Sequence, residues 1–162
     1  MLVAGIGLES ARNVAELGPG TGAVTGTIIG SMPKDSRFFA VELNPEVISA
    51  FHEVFPDVVV YNDSAANLTD LLQREKIDSL DAIVTGLPWA IFPDNLQDAI
   101  LTAIFDSLRP GGYFTTFAYL QGVILPSGQS FRRRLGRMFP LVEKSPVVWR
   151  NFPPAFVYRC RK

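Results

Sequence analysis

The stretch Val14-Ala15-Glu16-Leu17-Gly18-Pro19-Gly20-Thr21-Gly22 joins a short apolar run, carrying one acid, to a loop of three glycines. The residues after it, Ala23 to Ile29, suit a helix. Strand, glycine loop and helix in that order make the first unit of a nucleotide-binding α/β sheet. Glycine is needed at such a turn because the chain reverses sharply and its backbone must come close to a ligand. The spacing is E-x-G-x-G-x-G, with the acid two residues before the first glycine. The dinucleotide spacing G-x-G-x-x-G does not fit, since the third glycine follows the second by two residues. A P-loop does not fit either, because no Gly-Lys-Ser/Thr follows. A glycine-rich turn without any ligand has the same sequence, so the loop needs support from the rest of the chain.

That support comes from the order of elements on either side. Strand one is expected over Asn13 to Leu17, with a helix from Gly22 to Ser31 after the loop. Strand two is expected over Arg37 to Glu42, an apolar run ending in an acid. Asn44, Pro45 and Glu46 then read as the cap, first position and first turn of a helix. Its buried stripe is expected to be Val47, Ile48, Phe51, Val54 and Phe55. Asp57 to Tyr61 predicts strand three, Ala65 to Glu75 a helix, and Leu80 to Thr85 strand four. Asp94 is expected to cap the most clearly amphipathic helix, with Leu96, Ile100, Leu101, Ile104, Phe105 and Leu108 on one face. Arg109-Pro110-Gly111-Gly112 should stop it before strand five, Tyr113 to Phe117. Tyr119 to Ser130 reads as a loop and Phe131 to Met138 as a short basic helix. Leu141 to Trp149 and Ala155 to Arg161 read as an antiparallel hairpin at the sheet edge. Repeated β-α units followed by a hairpin predict an α/β fold, a seven-stranded mixed sheet with helices on both faces. Residues 1–162 are expected to form a single domain, with residues 1–11 a helix fragment or a frayed end.

Composition narrows the class. Hydrophobic residues are 48% and charged residues 19%, which fits a folded domain rather than a disordered chain. No run of 18 apolar residues and no charged-then-apolar leader occurs, so a cytoplasmic protein is expected. Cys160 and His52 are each the single residue of their kind, which argues against a disulfide and against a Cys or His metal site. The net charge of −1 conceals an asymmetry. Residues 1–108 hold 5 Lys/Arg against 15 Asp/Glu, and residues 109–162 hold 10 against 1. Either the basic third meets an anionic partner or the two parts attract each other across the fold.

Ligands of an open parallel sheet bind outside the carboxyl ends of the strands. Here those ends carry the glycine loop, Glu42 with Leu43 beside it, Asp63-Ser64-Ala65, and Gly86-Leu87-Pro88-Trp89. Glu42 lies 24 residues after Gly18, where an acid suits ribose hydroxyls. Asp63 is placed to accept from an adenine amino group. Each residue also has a plain structural reading: Glu16 bonded to loop amides, Glu42 a solvated strand end, Asp63 a helix cap, Trp89 core. Together they favour a nucleoside ligand. A phosphate-bearing cofactor would be poorly served by a rim of acids without a lysine.

Glu16 to Gly22, Glu42, Asn62-Asp63-Ser64-Ala65, Leu87-Pro88 and Leu108-Arg109-Pro110-Gly111-Gly112 together resemble a class I S-adenosylmethionine (SAM)-dependent methyltransferase. The resemblance implies a Rossmann-like fold and SAM as cofactor, held by Glu16, Gly18, Pro19, Gly20, Thr21, Gly22, Glu42, Leu43, Asp63, Ser64 and Ala65. The chain is similar to the ribosomal RNA adenine dimethyltransferases, but Gly86 stands where those have Asn, and their helical RNA-binding domain is lacking. Bacterial phospholipid N-methyltransferases are the closer resemblance, through the glycine loop, Gly-Leu-Pro after strand four and the tail Val148-Trp149-Arg150-Asn151-Phe152-Pro153-Pro154-Ala155-Phe156-Val157-Tyr158. That family implies methyl transfer to phosphatidylethanolamine toward phosphatidylcholine, at an anionic membrane surface on its inner face. It implies that Gly86, Leu87, Pro88, Trp89 and Tyr119 surround the reacting amine, with no metal. The headgroup phosphate would meet a cation among Arg132, Arg133, Arg134, Arg137 and Arg150, with Arg132, Arg133 and Arg150 foremost; these otherwise read as a solvated basic helix and loop. Phe92, Phe117 and Leu120 would line an acyl channel or belong to the core. The N-terminal membrane helix of that family is expected to be short or missing here. An RNA or other N-methyltransferase, and a SAM-binding protein without activity, stay open. The oligomeric state is not legible.

Overall fold

The structure is a computed structural model and describes residues 2–162. Its strands are β1 (Asn13–Leu17), β2 (Arg37–Glu42), β3 (Val60–Asn62), β4 (Leu80–Thr85), β5 (Leu108–Tyr119), β6 (Leu141–Lys144) and β7 (Ala155–Arg161). The α-helices are α1 (Thr25–Ser31), α2 (Pro45–Val54), α3 (Leu68–Arg74), α4 (Asp94–Ser107) and α5 (Pro126–Met138). All seven strands join in one sheet, in the order β3-β2-β1-β4-β5-β7-β6. The first five are parallel and β7 runs antiparallel to both its neighbours. This is the expected mixed sheet with a C-terminal hairpin. Strand order reverses between β1 and β4, which opens a crevice at their carboxyl ends. Because β7 is antiparallel, its first residue Ala155 pairs with Tyr119, so the connection before β7 reaches that same rim.

β1 and β4 are apolar on both sides because helices or chain cover both faces. One row of register partners crosses the whole sheet: Tyr61, Val41, Leu17, Thr85, Thr116, Tyr158 and Lys144. Its face carries the larger core, where Leu17, Ile83 and Phe114 meet Leu71 of α3, Leu101 and Ile104 of α4, and Phe131 and Leu135 of α5. Each such side chain contributes about 1.5–3 kcal/mol on full burial. The other face buries Val14, Ala82 and Val84 under Ile28 of α1 and the N-terminal residues Ile6 and Leu8. Leu8–Ser10 forms a 3-10 turn, so this opening segment is core rather than frayed; Met1 lies outside the described residues. Among the described residues no helix is long and apolar enough to cross a membrane.

Several boundaries differ from the sequence reading. α1 starts at Thr25, because Gly22 takes a φ of 85° and the backbone there cannot be helical. β3 is shorter, since Val58 first closes a turn onto the Phe55 carbonyl. The helix expected from Ala65 opens as a 3-10 turn over Ala65–Asn67. Asp94 does not cap α4; it is the first helical residue, and its carboxylate pairs with Arg134 at 3.1 Å. β5 begins at Leu108 and runs through Arg109 to Gly112, with a register shift opposite Leu80. α5 starts at Pro126, absorbing half of the expected loop, since proline is tolerated in a first helical turn. β6 ends at Lys144, two residues before Pro146, leaving Val148 an isolated bridge to Ala155. In α2 only Phe51 of the expected stripe is fully buried, and Val54 is exposed. The Asn44 cap holds as expected, its side chain accepting the Glu46 N–H at 3.0 Å.

Candidate active site

The glycine loop leaves β1 with all three glycines at positive φ: 67° at Gly18, 57° at Gly20 and 85° at Gly22. Two are also fixed by crowding. A Cβ on Gly18 would stand 2.7 Å from Leu87, and one on Gly22 would run into the Phe55 ring. A Cβ on Gly20 would meet nothing within 4 Å, so this is the glycine that faces open space. Pro19 is buried and Thr21 exposed. The loop is pinned by the Gly18 N–H on the Val41 carbonyl at 2.9 Å and the Gly22 N–H on Pro19 at 3.0 Å. Beneath it Glu16 is only 3% exposed, and the Thr25 hydroxyl donates to its Oε2 at 2.6 Å. Burial pushes the Glu16 carboxyl up to about 7, against the opposing pull of the Thr25 hydrogen bond.

The next two strand ends differ in what they leave free. Glu42 Oε1 accepts the N–H groups of Leu43 at 2.9 Å and Asn44 at 3.0 Å. Its Oε2 has no partner among the described residues, and Leu43 stands exposed beside it. Asp63 has partners on both oxygens. Its Oδ1 accepts from Asn67 and from the Ser64 N–H, both at 2.7 Å, and its Oδ2 pairs with Arg74 at 2.9 Å. The Asn67 bond, the Ser64 bond and Arg74 hold this carboxyl below its ordinary range. Asp63 therefore caps the following turn, with Ser64 Oγ accepting the Ala66 N–H at 3.3 Å and Ala65 half-buried behind it. Oδ2 carries only the contact with the exposed Arg74, so it keeps acceptor capacity for an outside donor.

Gly86 touches the glycine loop directly. Its N–H donates to Leu17 at 3.0 Å, and a Cβ on it would stand 2.6 Å from the Gly18 carbonyl. Leu87 and Pro88 then lead into Trp89, which is 5% exposed. The indole Nε1 donates to Thr116 at 2.9 Å, and the ring stacks on Phe131 with centres 4.7 Å apart. Gln97 of α4 donates to the Trp89 and Phe92 carbonyls at 2.9 and 3.0 Å. Trp89 is thus a wall of the site with its N–H already used. That wall closes a cavity of about 280 Å³, lined by Leu87, Pro88, Trp89, Phe117, Tyr119, Phe131 and Tyr158 among others. Of the three residues that read either as channel lining or as core, Phe117 lines the cavity, whereas Phe92 and Leu120 are outside the lining. Tyr119, 41% exposed, stands at its mouth.

No family model matches the chain. Among curated proteins it is 33% identical to an ornithine lipid N-methyltransferase from Singulisphaera acidiphila, over 94% of this chain and 77% of that protein. Among solved structures it resembles an O-methyltransferase from Bacillus cereus in complex with SAH, with a TM-score of 0.74 and 19% identity over 94% and 74% of the two chains. It also resembles a precorrin-6y C5,15-methyltransferase from Geobacter metallireducens, with a TM-score of 0.72 and 17% identity over 97% and 83%. The chain belongs to the class I SAM-dependent methyltransferases. Within them it is related to a lipid N-methyltransferase.

The rim of this methyltransferase suits its cofactor, SAM. Open space over Gly20 admits a ligand against the backbone, and Glu42 keeps one oxygen free on a strand end. A cationic, phosphate-free nucleoside matches a rim that offers carboxylates. Among the described residues no group of three His, Cys, Asp or Glu could hold a metal. His52 lies away from the rim, with its Nε2 3.2 Å from the Val58 carbonyl.

The three expected headgroup arginines separate. Arg132 is exposed on α5, next in sequence to Phe131, which lines the cavity. Arg133 lines a different groove, between α4 and α5, with Asp98, Ser130, Arg134, Arg137 and Met138. Arg150 is exposed in the connection between β6 and β7. Gln97, Thr116 and Tyr158 were not singled out as site residues. Gln97 had no signal beyond its place on α4, and Thr116 and Tyr158 are reached only through the sheet register.

Proposed function

We propose that this methyltransferase transfers methyl groups from SAM to the amine of phosphatidylethanolamine and its partly methylated forms, toward phosphatidylcholine. The observation that carries the reading is the apolar cavity beside Gly86-Leu87-Pro88, open at a mouth where Tyr119 and Ile91 are exposed. A lipid amine needs such a greasy approach, and a small polar acceptor does not. The relative that methylates an ornithine lipid supports an amine on a lipid as acceptor. Gly18, Pro19, Gly20, Thr21 and Gly22 bear the cofactor, Glu42 and Leu43 its ribose and base, and Glu16 sits beneath as the charge that favours a cation. The Asp63-Ser64-Ala65 turn shapes the far wall of the cofactor site.

Bound SAM supplies an electrophilic methyl group. The residues around it need to align the amine and exclude water, because a neutral amine attacks without further activation. The exposed Gly86 carbonyl and the Tyr119 ring stabilise positive charge growing on that nitrogen. Leu87, Pro88, Trp89 and Phe117 keep the approach dry. The enzyme would work at an anionic membrane surface on its cytoplasmic face.

Methyl transfer from SAM, read by mass spectrometry, tests the reading. Phosphatidylethanolamine in micelles, an ornithine-headed lipid and unmethylated RNA are the three acceptors. Product on phosphatidylethanolamine supports it. Product on the ornithine-headed lipid alone would move the assignment to that headgroup. Product on RNA alone would overturn it, and the Gly86 contact with Gly18, which leaves no room for an asparagine side chain there, speaks for the lipid.

A further inference from the structure

The structure accounts for half of the ten basic residues in the C-terminal third. Arg109 pairs with Asp81, Arg134 with Asp94 and Asp98, and Arg159 with Glu143. Lys162 donates to the Phe105 and Leu108 carbonyls at 2.7 Å, and Arg161 lies over the Tyr113 ring. Arg132, Arg133, Arg137, Lys144 and Arg150 have no ion-pair partner among the described residues. The reading in which the two parts attract each other holds for Arg109 and Arg134, which pair with acids of the first 108 residues, and the five cations just named are left without an ion pair among the described residues.

Two of these five lie on elements that come together beside the cavity, β6 and α5. Lys144 is opposite Tyr158 in the β6–β7 ladder, with its Nζ 5.5 Å from the centre of the Tyr158 ring and 5.4 Å from that of Phe156. On α5, Phe131 approaches Tyr158 with ring centres 6.1 Å apart, and Arg132 is the next residue. Phe131 and Tyr158 both belong to the cavity wall. Partial burial and then the charge of Arg132 hold the Lys144 ammonium below its ordinary range. The one acid of this third, Glu143, points to the other face of the sheet and pairs with Arg159. A lysine over two aromatic rings and an arginine whose charge acts on it, neither with an ion-pair partner among the described residues, are an arrangement that a bound anion relieves.

We propose that Arg132 and Lys144 form the subsite for the anionic group of the acceptor lipid's headgroup. The group is an oxyanion, a phosphodiester in one kind of aminolipid and a carboxylate in another. The guanidinium supplies a two-pronged grip and the ammonium a point charge, while the amine of the same headgroup reaches Gly86 and Tyr119. The pair selects and orients the acceptor and touches no reacting atom. The proposal rests on the aminolipid reading above, and it separates Arg132 from Arg133 and Arg150.

Steady-state methyl transfer in neutral detergent micelles tests it. The acceptors are phosphatidylethanolamine, an aminolipid with a carboxylate and no phosphate, and a long-chain primary alkylamine with no anion. Lys144→Gln and Arg132→Gln should each raise KM about tenfold for the anionic acceptor that the wild type uses, the loss of one charge-assisted hydrogen bond. They should leave kcat, and the KM for the alkylamine, within twofold. Lys144→Arg should restore KM. The acceptor whose KM responds names the oxyanion. An equal rise for the alkylamine, or no rise for any acceptor, overturns the proposal. Both side chains are exposed, so thermal unfolding of the variants should match the wild type. A wild type that methylates none of the three overturns the aminolipid reading itself and takes the subsite with it, before any variant is compared.

Discussion

Replacing Glu16 by glutamine removes a titration that burial has moved close to neutral pH. In the folded chain the Glu16 carboxyl titrates at about 7, against 4.5 when free. Between those values the folded state keeps a proton that the unfolded state has released. The stability tied to this residue is therefore complete below pH 4.5 and is lost as pH rises through 7. The gap between the two values corresponds to roughly 3 kcal/mol once both states are ionised. In a protein of this length that is roughly 10 °C in Tm. Glutamine keeps an oxygen to accept the Thr25 hydroxyl and carries no charge at any pH. The assay is thermal unfolding of wild type and Glu16→Gln without cofactor, from pH 5 to 8.5. Other groups titrate equally in both proteins and cancel in the difference. The wild type should lose roughly 10 °C relative to the variant across this range, most steeply between the free and folded titration points of 4.5 and about 7, and level off above pH 7. Saturating SAM should shrink the difference at pH 8, because a cation beside the carboxylate pulls its titration down. A flat difference curve, or a wild type that gains on the variant as pH rises, would refute the assignment of Glu16 as a buried, largely unsupported carboxyl.

Three further outcomes follow from the site. Glu42→Ala should weaken SAM binding at least about tenfold by calorimetry, the loss of one charged contact, with little change in Tm because its backbone partners face solvent; unchanged binding would remove Glu42 from the cofactor site. Gly22→Ala should lower unfolding stability by about 3 kcal/mol in urea, since the new methyl meets Phe55 at a φ that alanine avoids, and an unshifted midpoint would contradict the packing of α2 on the loop. Trp89→Phe leaves the buried Thr116 hydroxyl without its donor and should cost about 1–3 kcal/mol. Methyl transfer by that variant should stay within a few-fold of wild type at saturating acceptor, whereas its abolition in a folded variant would give the indole a direct role.

What was legible locally was legible for a physical reason. Positive φ at Gly18, Gly20 and Gly22, and an Asn-Pro-Glu helix start at Asn44, are short-range preferences that neighbours in sequence enforce. Elements misjudged in length are those where distant contacts decide. Gly128 reads as a helix breaker, yet it lies inside α5 because any Cβ there would run into the Gly122 carbonyl of the preceding 3-10 turn. Asp63 reads from its place at a strand end as an acceptor for the cofactor, and only the fold shows that it also binds Asn67 and Arg74. Trp89 was placed beside the amine, and the fold turns its N–H inward to Thr116, 27 residues away.

The sequence by itself determined the α/β class, the seven-stranded mixed sheet with its C-terminal hairpin, the carboxyl rim of the strands as the ligand face and the family resemblance, while the strand order came from the structure. These depend on periodicity and on backbone conformations that a few adjacent residues impose. Only the tertiary structure decided which partners Glu42 and Asp63 hold within the chain, and which cations stay unpaired. It also set Lys144 of β6 over Tyr158, a wall of the cavity that Phe131 of α5, the neighbour of Arg132, lines as well. Pairing and burial are relations between residues far apart in the chain, and no local preference encodes them.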